Sequence, residues 1–514
     1  MSDHPSPGND DLKADTAFDG GDLDCGSGLL LLIRRHIDPL PRGGLLQIDS
    51  TEPTVEVDLP AWCRMTGNEL VRVQRYESDK KRSFLVCKGS LSERTQRSVP
   101  KPNATAADRQ TTPTVTMPGE GPLPEPSEAA LVQPLSVMGI GSWPRPRWLL
   151  HAIHEHISGR LDDKSFEETA NDAVRLCVAA QLRAGVDVVT DGEQRRDSYS
   201  SFVGGILDNC QLVPITDLLA YVDDPDKFAK ELQALDVPAA EVRHPAVFGR
   251  LGRSRPLTLD ELRFLRQITD KPIKIALPGP YLLTRTMWLE CISDRVYQTR
   301  EELADDVVRV LRAELFDLLA AGANLVQFDE PVLSEVVFGA AAGQRSFMCG
   351  ALSGKRDPHE ELAFAADLLN RVVAGSPRTR TGLHMCRGNW SRNEELALKG
   401  GYEPLLETLQ SIRVGTYFLE LCTPRAGEWE VLRQLPADCR IGVGMLNPKS
   451  DYVETVSDLT KSIERAIALF GFDRVLLNPD CGFATFADNP VNSAEIAEAK
   501  LTNLCRAAAL VRSK

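Results

Sequence analysis

From residue 135 to the C-terminus the chain repeats one unit, a short apolar run that ends in a polar or Gly-Pro turn and is followed by a helical stretch. The runs are LSVMGIGS, VDVVTDGE, IKIALPGP, ANLVQFDEP, TRTGLHMC, TYFLELC, RIGVGML and VLLNPDCG. Stretches such as REELADDVVRVLRAELFDLLAAG and SDLTKSIERAIALFGF lie between them. Eight strands alternating with helices predict an α/β fold, a (β/α)8 barrel over residues 135–514. Such a barrel carries its site at the C-terminal ends of its strands. The polar residues that fall there are Ser142, Glu193, Asp329, His384, Cys386, Glu420 and Cys481.

The rest of the chain has a different texture. Residues 93–134 are rich in Pro, Ser, Thr and charge and poor in large apolar side chains. Such a segment cannot bury enough surface to offset its ordering entropy, so a flexible linker is expected. Residues 14–92 read as a small α+β two-layer sandwich. A helix is expected just after Cys25 and another over AWCRMTGNELV, with strands at GLLQIDS, TVEVDL and SFLVCKG.

Charge narrows the function. A formal net charge of −14 argues against non-specific nucleic-acid binding, which needs a basic surface. No apolar run is long enough to span a bilayer, and the acidic start MSDHPSPGNDD lacks the pattern of a secretory signal. A cytoplasmic location is the expectation. In that setting twelve cysteines point to buried thiols, metal ligands or reactive groups rather than disulfides.

His384 and Cys386 sit two apart at the end of one predicted strand, where positions i and i+2 share a face. Imidazole nitrogen and thiolate sulfur suit Zn²⁺ in tetrahedral geometry. Two ligands are too few, and His-x-Cys alone fits a structural pair as well. The neighbouring strand ends offer Glu420, Cys422 and Cys481. Cysteine is a common core residue, so Cys422, Cys439 and Cys177 read as packing. A carboxylate such as Glu420 in the apolar run YFLELC is costly to bury without a cation. The triplet His151, His154 and His156 reads as a solvated helix face.

The ordered set GIGSWPRP, DGEQRRDSYSSF, PGP, QFDEP, HMC, ELC, GVG and NPDCG resembles the C-terminal catalytic barrel of the cobalamin-independent methionine synthase family, over about residues 135–514. The resemblance implies a zinc ion that activates a thiol, with His384, Cys386, Glu420 and Cys481 as ligands. It also implies substrate contacts at Ile140, Gly141, Ser142, Glu193 and Asp329, the two carboxylates holding the amino group of homocysteine. The thiolate made at zinc attacks a methyl group supplied by a donor. Two features depart from the family's methionine synthases: the chain lacks their N-terminal barrel, and Asn447 and Lys449 follow GVG where they carry Asp and His. In this the chain is similar to the shorter, core-type members, which include epoxyalkane:coenzyme M transferases.

Residues 14–92 resemble a TusA/SirA-like sulfur carrier through the entry DLDC, the helix after it, STEPTVEVDLPAWC and GNEL. That implies a persulfide on Cys25 as a catalytic cysteine, with a sulfurtransferase as partner. A cysteine at a helix N-terminus has its thiolate favoured. The family's Cys-Pro-x-Pro is Cys-Gly-Ser-Gly here. Two readings compete on this basis: methyl or alkyl transfer to a small thiol, homocysteine by default, and a sulfur relay in which Cys25 serves the barrel.

Overall fold

The computed structural model describes residues 12–76, 81–95, 122–215, 242–289, 293, 296–339, 357–389, 391–487 and 491–514. The described residues form two compact units, 12–95 and 122–514.

The first unit is a four-stranded mixed sheet with helices, formed by β1 (Thr16–Asp19), α1 (Leu30–Ile37), β2 (Leu45–Ser50), α2 (Val55–Thr66), β3 (Glu69–Arg75) and β4 (Arg82–Cys87). The strand order is β1-β2-β4-β3, with β1 parallel to β2 and the other pairs antiparallel. Leu29, Ile33, Ile37, Leu59, Trp62, Ile48 and Phe84 pack into its core.

Two local expectations are corrected in this unit. TVEVDL is not a strand; it opens α2, which runs to Thr66 and ends on left-handed Gly67. The apolar, β-branched character of TVEVDL suggests a strand. Helical spacing instead buries Val55, Leu59, Trp62 and Cys63 together and leaves Val57 75% exposed. NELV accordingly belongs to the following turn and β3 rather than to a helix. After Cys25 the backbone makes a wide turn over Cys25–Leu29 in which Gly28 takes φ 119°, and the regular helix begins only at Leu30.

The second unit carries the predicted barrel. A hairpin, β5 (Asp208–Pro214) with β6 (Arg243–Gly252), stands apart from the main sheet. Strands β7 (Lys274–Pro278), β8 (Leu325–Asp329), β9 (Thr381–Met385), β10 (Thr416–Leu419), β11 (Arg440–Leu446) and β12 (Val475–Pro479) form one parallel sheet in sequence order. Isolated parallel bridges complete the circle: Val137 with Leu477, Met138 with Val188, and Val189 with Ile273. The runs LSVMGIGS and VDVVTDGE thus take the first two strand positions with minimal pairing.

Part of the stretch expected to be linker belongs to the barrel's base. Arg380 and Arg440 donate to the carbonyls of Ser127 and Val132 at 2.5 and 2.6 Å, and Asn324 donates to Ala130 at 2.9 Å. Val132 packs with Met138, Leu325, Phe418 and Leu476. One apolar side chain and three satisfied carbonyls order a segment whose composition is otherwise that of a linker. Residues 96–121 of that stretch lie outside the described residues. Among the described residues no helix is long and apolar enough to cross a membrane.

Candidate metal centre and substrate pocket

Strand alternation works at β9 as the sequence predicts. His384 and Cys386 are both buried, and Cys481 reaches them from the turn after β12. The ligand atoms of His384, Cys386 and Cys481 lie within 4.8 Å of one another. A hydrogen bond from Cys481, with His384 nearby, pulls the Cys386 thiol below its ordinary range against the effect of burial. The same bond, together with burial, pushes Cys481 well up. The surroundings thus favour the thiolate at Cys386 over Cys481.

The imidazole is oriented for a ligand. His384 Nδ1 is 2.8 Å from Asp329 Oδ1. Burial opposes a charge on His384, but Asp329 outweighs it and raises the imidazole above its usual value. A carboxylate behind one ring nitrogen leaves the other for a metal, the common arrangement at zinc-bound histidine. One carboxylate-backed imidazole and two thiols fit Zn²⁺ by donor chemistry and spacing.

Glu420 is buried nearby but does not join the other three. Its Oε1 takes Arg425 Nε at 2.5 Å, and its Oε2 takes the main-chain N–H of Arg387 at 2.9 Å. Arg425 also bonds Glu394, which in turn accepts from Asn447 at 2.5 Å. Cys422, read as packing, donates instead to Asp480 Oδ2 at 2.7 Å. Lys449 is buried and bonded to the Ser391 carbonyl.

His384, Cys386 and Cys481 open into a pocket with an empty volume of about 660 Å³. Ile140, Ser142, Glu193 and Asp329, expected from the resemblance to be substrate contacts, line this pocket. Gly141 lies beside it, where a methyl group on its Cα would overlap Glu193 Oε1. Glu193 has φ 54°, a left-handed conformation costly for a side-chain residue. Arg145 Nη2 and the main-chain N–H of Arg196 hold its carbonyl at 2.7 and 3.1 Å. Burial, reinforced by Asp329 and Asp191, pushes the Glu193 carboxyl up to about 7, with Arg196 and Arg145 opposing. Its Oε2 is buried without a hydrogen-bond partner. A buried orphan carboxylate oxygen is the arrangement expected of a group awaiting a cationic ligand.

Sequence reasoning missed Asn389, Tyr199, Thr485 and Phe486, which also line the pocket. Asn389 ties the turn after Cys386 to the turn after Cys481, its Nδ2 donating to Gly482 O at 2.8 Å and Thr485 Oγ1 at 3.1 Å. The only sequence signal for it was its place three residues after a candidate ligand. Cys25 differs from expectation. Burial, with Asp58 and Asp24 close by, pushes its thiol up to about 12, so the resting group is a protonated thiol rather than a thiolate.

A parallel barrel whose C-terminal mouth brings an imidazole and two thiols to one point is the framework of a metal-site enzyme. Residues 135–509 match the family model described as Cobalamin-independent synthase, Catalytic domain. The chain belongs to that family and is an enzyme of its methyl-transferring kind. It is 25% identical over 389 residues to a methionine synthase of Sulfolobus acidocaldarius, covering 76% of this chain and 95% of the relative. A methionine synthase of Thermococcus kodakarensis is 26% identical over 374 residues, covering 73% and 92%. The solved B12-independent methionine synthase of Shewanella sp. W3-18-1, in complex with selenomethionine, superimposes with a TM-score of 0.56 at 23% identity, covering 75% and 98%.

Proposed function

We propose that the barrel is a zinc-dependent S-methyltransferase that moves a methyl group from a donor to the thiol of homocysteine, forming methionine. The convergence of His384, Cys386 and Cys481 beside the carboxylates Glu193 and Asp329 in one pocket carries this reading. Zinc held there would supply the charge that keeps a substrate thiol ionised at neutral pH. His384, Cys386 and Cys481 provide three ligands, and Glu420 the fourth. Glu420 is paired with Arg425, so the ion and Arg425 compete for one carboxylate. Ile140, Gly141 and Ser142 position the substrate, while Glu193 and Asp329 receive its ammonium group.

The test is equilibrium binding of homocysteine to the zinc-loaded protein with proton release recorded. Close to one proton released per thiol bound, and methionine formed with 5-methyltetrahydrofolate, is the expected result. Equal binding of thiols with and without an amino group would redirect the search to another alkyl acceptor.

For the rest of the chain, the proposal is a sulfur-carrier-like domain over 14–92, a connection over 93–134 and the catalytic barrel over 135–514. The residues around Cys25 support a carrier, with a sulfurtransferase as its source of sulfur, while its raised thiol argues for slow loading at neutral pH. Offered a persulfide donor at pH 9, the Cys25 peptide should gain one sulfur by mass spectrometry, and Cys25→Ser should not. A folded domain that stays bare removes the carrier reading and leaves the methyltransferase reading intact.

A further inference from the structure

Directly after Cys386 comes a buried cation that the pocket does not use. Arg387 is fully buried, while Cys386, Gly388 and Asn389 around it line the pocket. Its side chain runs to the helix Val332–Phe338 that follows β8, where Nη1 lies 3.4 Å from Ser334 Oγ. The guanidinium carbon stands over the rings of Phe338 and Tyr402, 4.7 and 4.4 Å from their centroids. Among the described residues, Nε and Nη2 of Arg387 have no hydrogen-bond partner.

The two unpaired nitrogens are one feature. Nε and Nη2 form one edge of the planar guanidinium, a fork that holds two oxygens of a carboxylate or phosphate at once. Arginine keeps its charge at any working pH. Ring faces attract that charge, but they accept little from hydrogens directed in the guanidinium plane. Glu420, which accepts the Arg387 main-chain N–H on Oε2, has its other oxygen on Arg425. Residues 340–356, which follow Gly339 in the chain, contain no Asp or Glu. Water can satisfy the two N–H groups but cannot neutralise the charge, and an unpaired buried cation is costly to keep.

We propose that the Nε/Nη2 edge of Arg387 binds one oxyanion group, a carboxylate or a phosphate, at a site separate from the metal pocket. Of the two rings, Tyr402 is buried and Phe338 is partly exposed, so a ligand enters where Phe338 turns aside. The proposal needs neither the zinc nor the methyl-transfer reading.

The test is equilibrium dialysis of the zinc-loaded full chain against labelled inorganic phosphate and, separately, labelled acetate at constant ionic strength. Saturable binding of one anion per chain is expected for at least one of the two. Binding of phosphate alone assigns the site to a phosphate-bearing ligand, and binding of acetate alone to a carboxylate. Arg387→Lys keeps a cation but loses the fork, and its affinity should fall at least 10-fold. Arg387→Met removes the cation, should bind no anion there and should melt no lower than wild type in anion-free buffer. Arg387→Lys carries the test alone if the methionine variant does not fold. A wild type that binds neither anion overturns the proposal. So does anion binding that is unchanged in Arg387→Lys, because the anion then sits on zinc or on another surface.

Discussion

Replacing Cys386 by Ala should strip the barrel of its metal and stop methyl transfer. Three ligand atoms lie within 4.8 Å of one another, and Cys386 carries the sulfur whose thiolate the surroundings already favour. Removing it leaves an imidazole and a thiol whose proton the site holds tightly. Zinc content should drop from about one per chain to near none. The charge stabilisation that a metal gives a nucleophile is several kcal/mol, so kcat/KM should fall on the order of 10³-fold or more. Cys422→Ser is the informative companion. Cys422 stands two residues from Glu420, but its thiol donates to Asp480, a bond that a serine hydroxyl can keep. Zinc content there should stay at the wild-type level. Metal analysis and steady-state kinetics on the two variants check both statements, and loss of zinc in Cys422→Ser together with its retention in Cys386→Ala would reverse the assignment.

Glu193→Gln should gain stability and lose function, with opposite pH dependences. The carboxyl is pushed up to about 7 by burial, while an unfolded glutamate ionises near 4.5. A raised carboxyl pKa means that the unfolded chain releases its proton first as pH rises. The resulting penalty is absent below about 4.5, grows through the interval up to 7 and is constant above it. The interval corresponds to about 3 kcal/mol, so metal-free Glu193→Gln should unfold later than wild type at pH 8 by up to that amount and equally at pH 4.5. Binding of homocysteine to wild type should tighten as pH rises through about 7, because the ammonium group needs the ionised carboxylate. In Glu193→Gln that dependence should flatten and binding should weaken at least 10-fold at pH 8, the loss expected when a charged partner is removed from a buried site. Lys274, pushed down to about 7 by burial, titrates in the same window, and it is present in both proteins. Because Lys274 interacts with Glu193, the difference between the two curves reports the pair rather than Glu193 alone. Denaturant melts and calorimetric titrations at four pH values are sufficient.

The grouping of His384, Cys386 and Cys481 could be anticipated from the sequence because it depends on local regularities. Strand alternation places His384 and Cys386 on one face whatever the rest of the chain does. Cys481 follows a run apolar enough to be a strand, and the eight runs fix which ends lie together. β-branched composition misled: TVEVDL has the residues of a strand, but Leu59, Trp62 and Cys63 pack in one core with Ile33 and Phe84 from a helix. The linker composition of residues 93–134 likewise concealed the ordered piece at 127–132, whose order comes from arginines that lie more than 250 residues away.

What the sequence determined by itself was the barrel, its reading direction and which polar residues fall at its mouth, since these follow from periods of two and 3.6 that any local stretch displays. The tertiary structure alone decided how those residues are tuned. It paired Glu420 with Arg425, left Glu193 Oε2 without a partner, buried Cys25 within reach of the charges of Asp58 and Asp24, and joined Lys274, Gln327, Asp329 and His384 in one chain of hydrogen bonds. Most of these contacts join different strands and loops brought together by barrel closure, and no local period encodes which side chains then meet. Even for neighbours in sequence, burial sets their strength, because removing water makes an ionisable group depend on the few partners within reach.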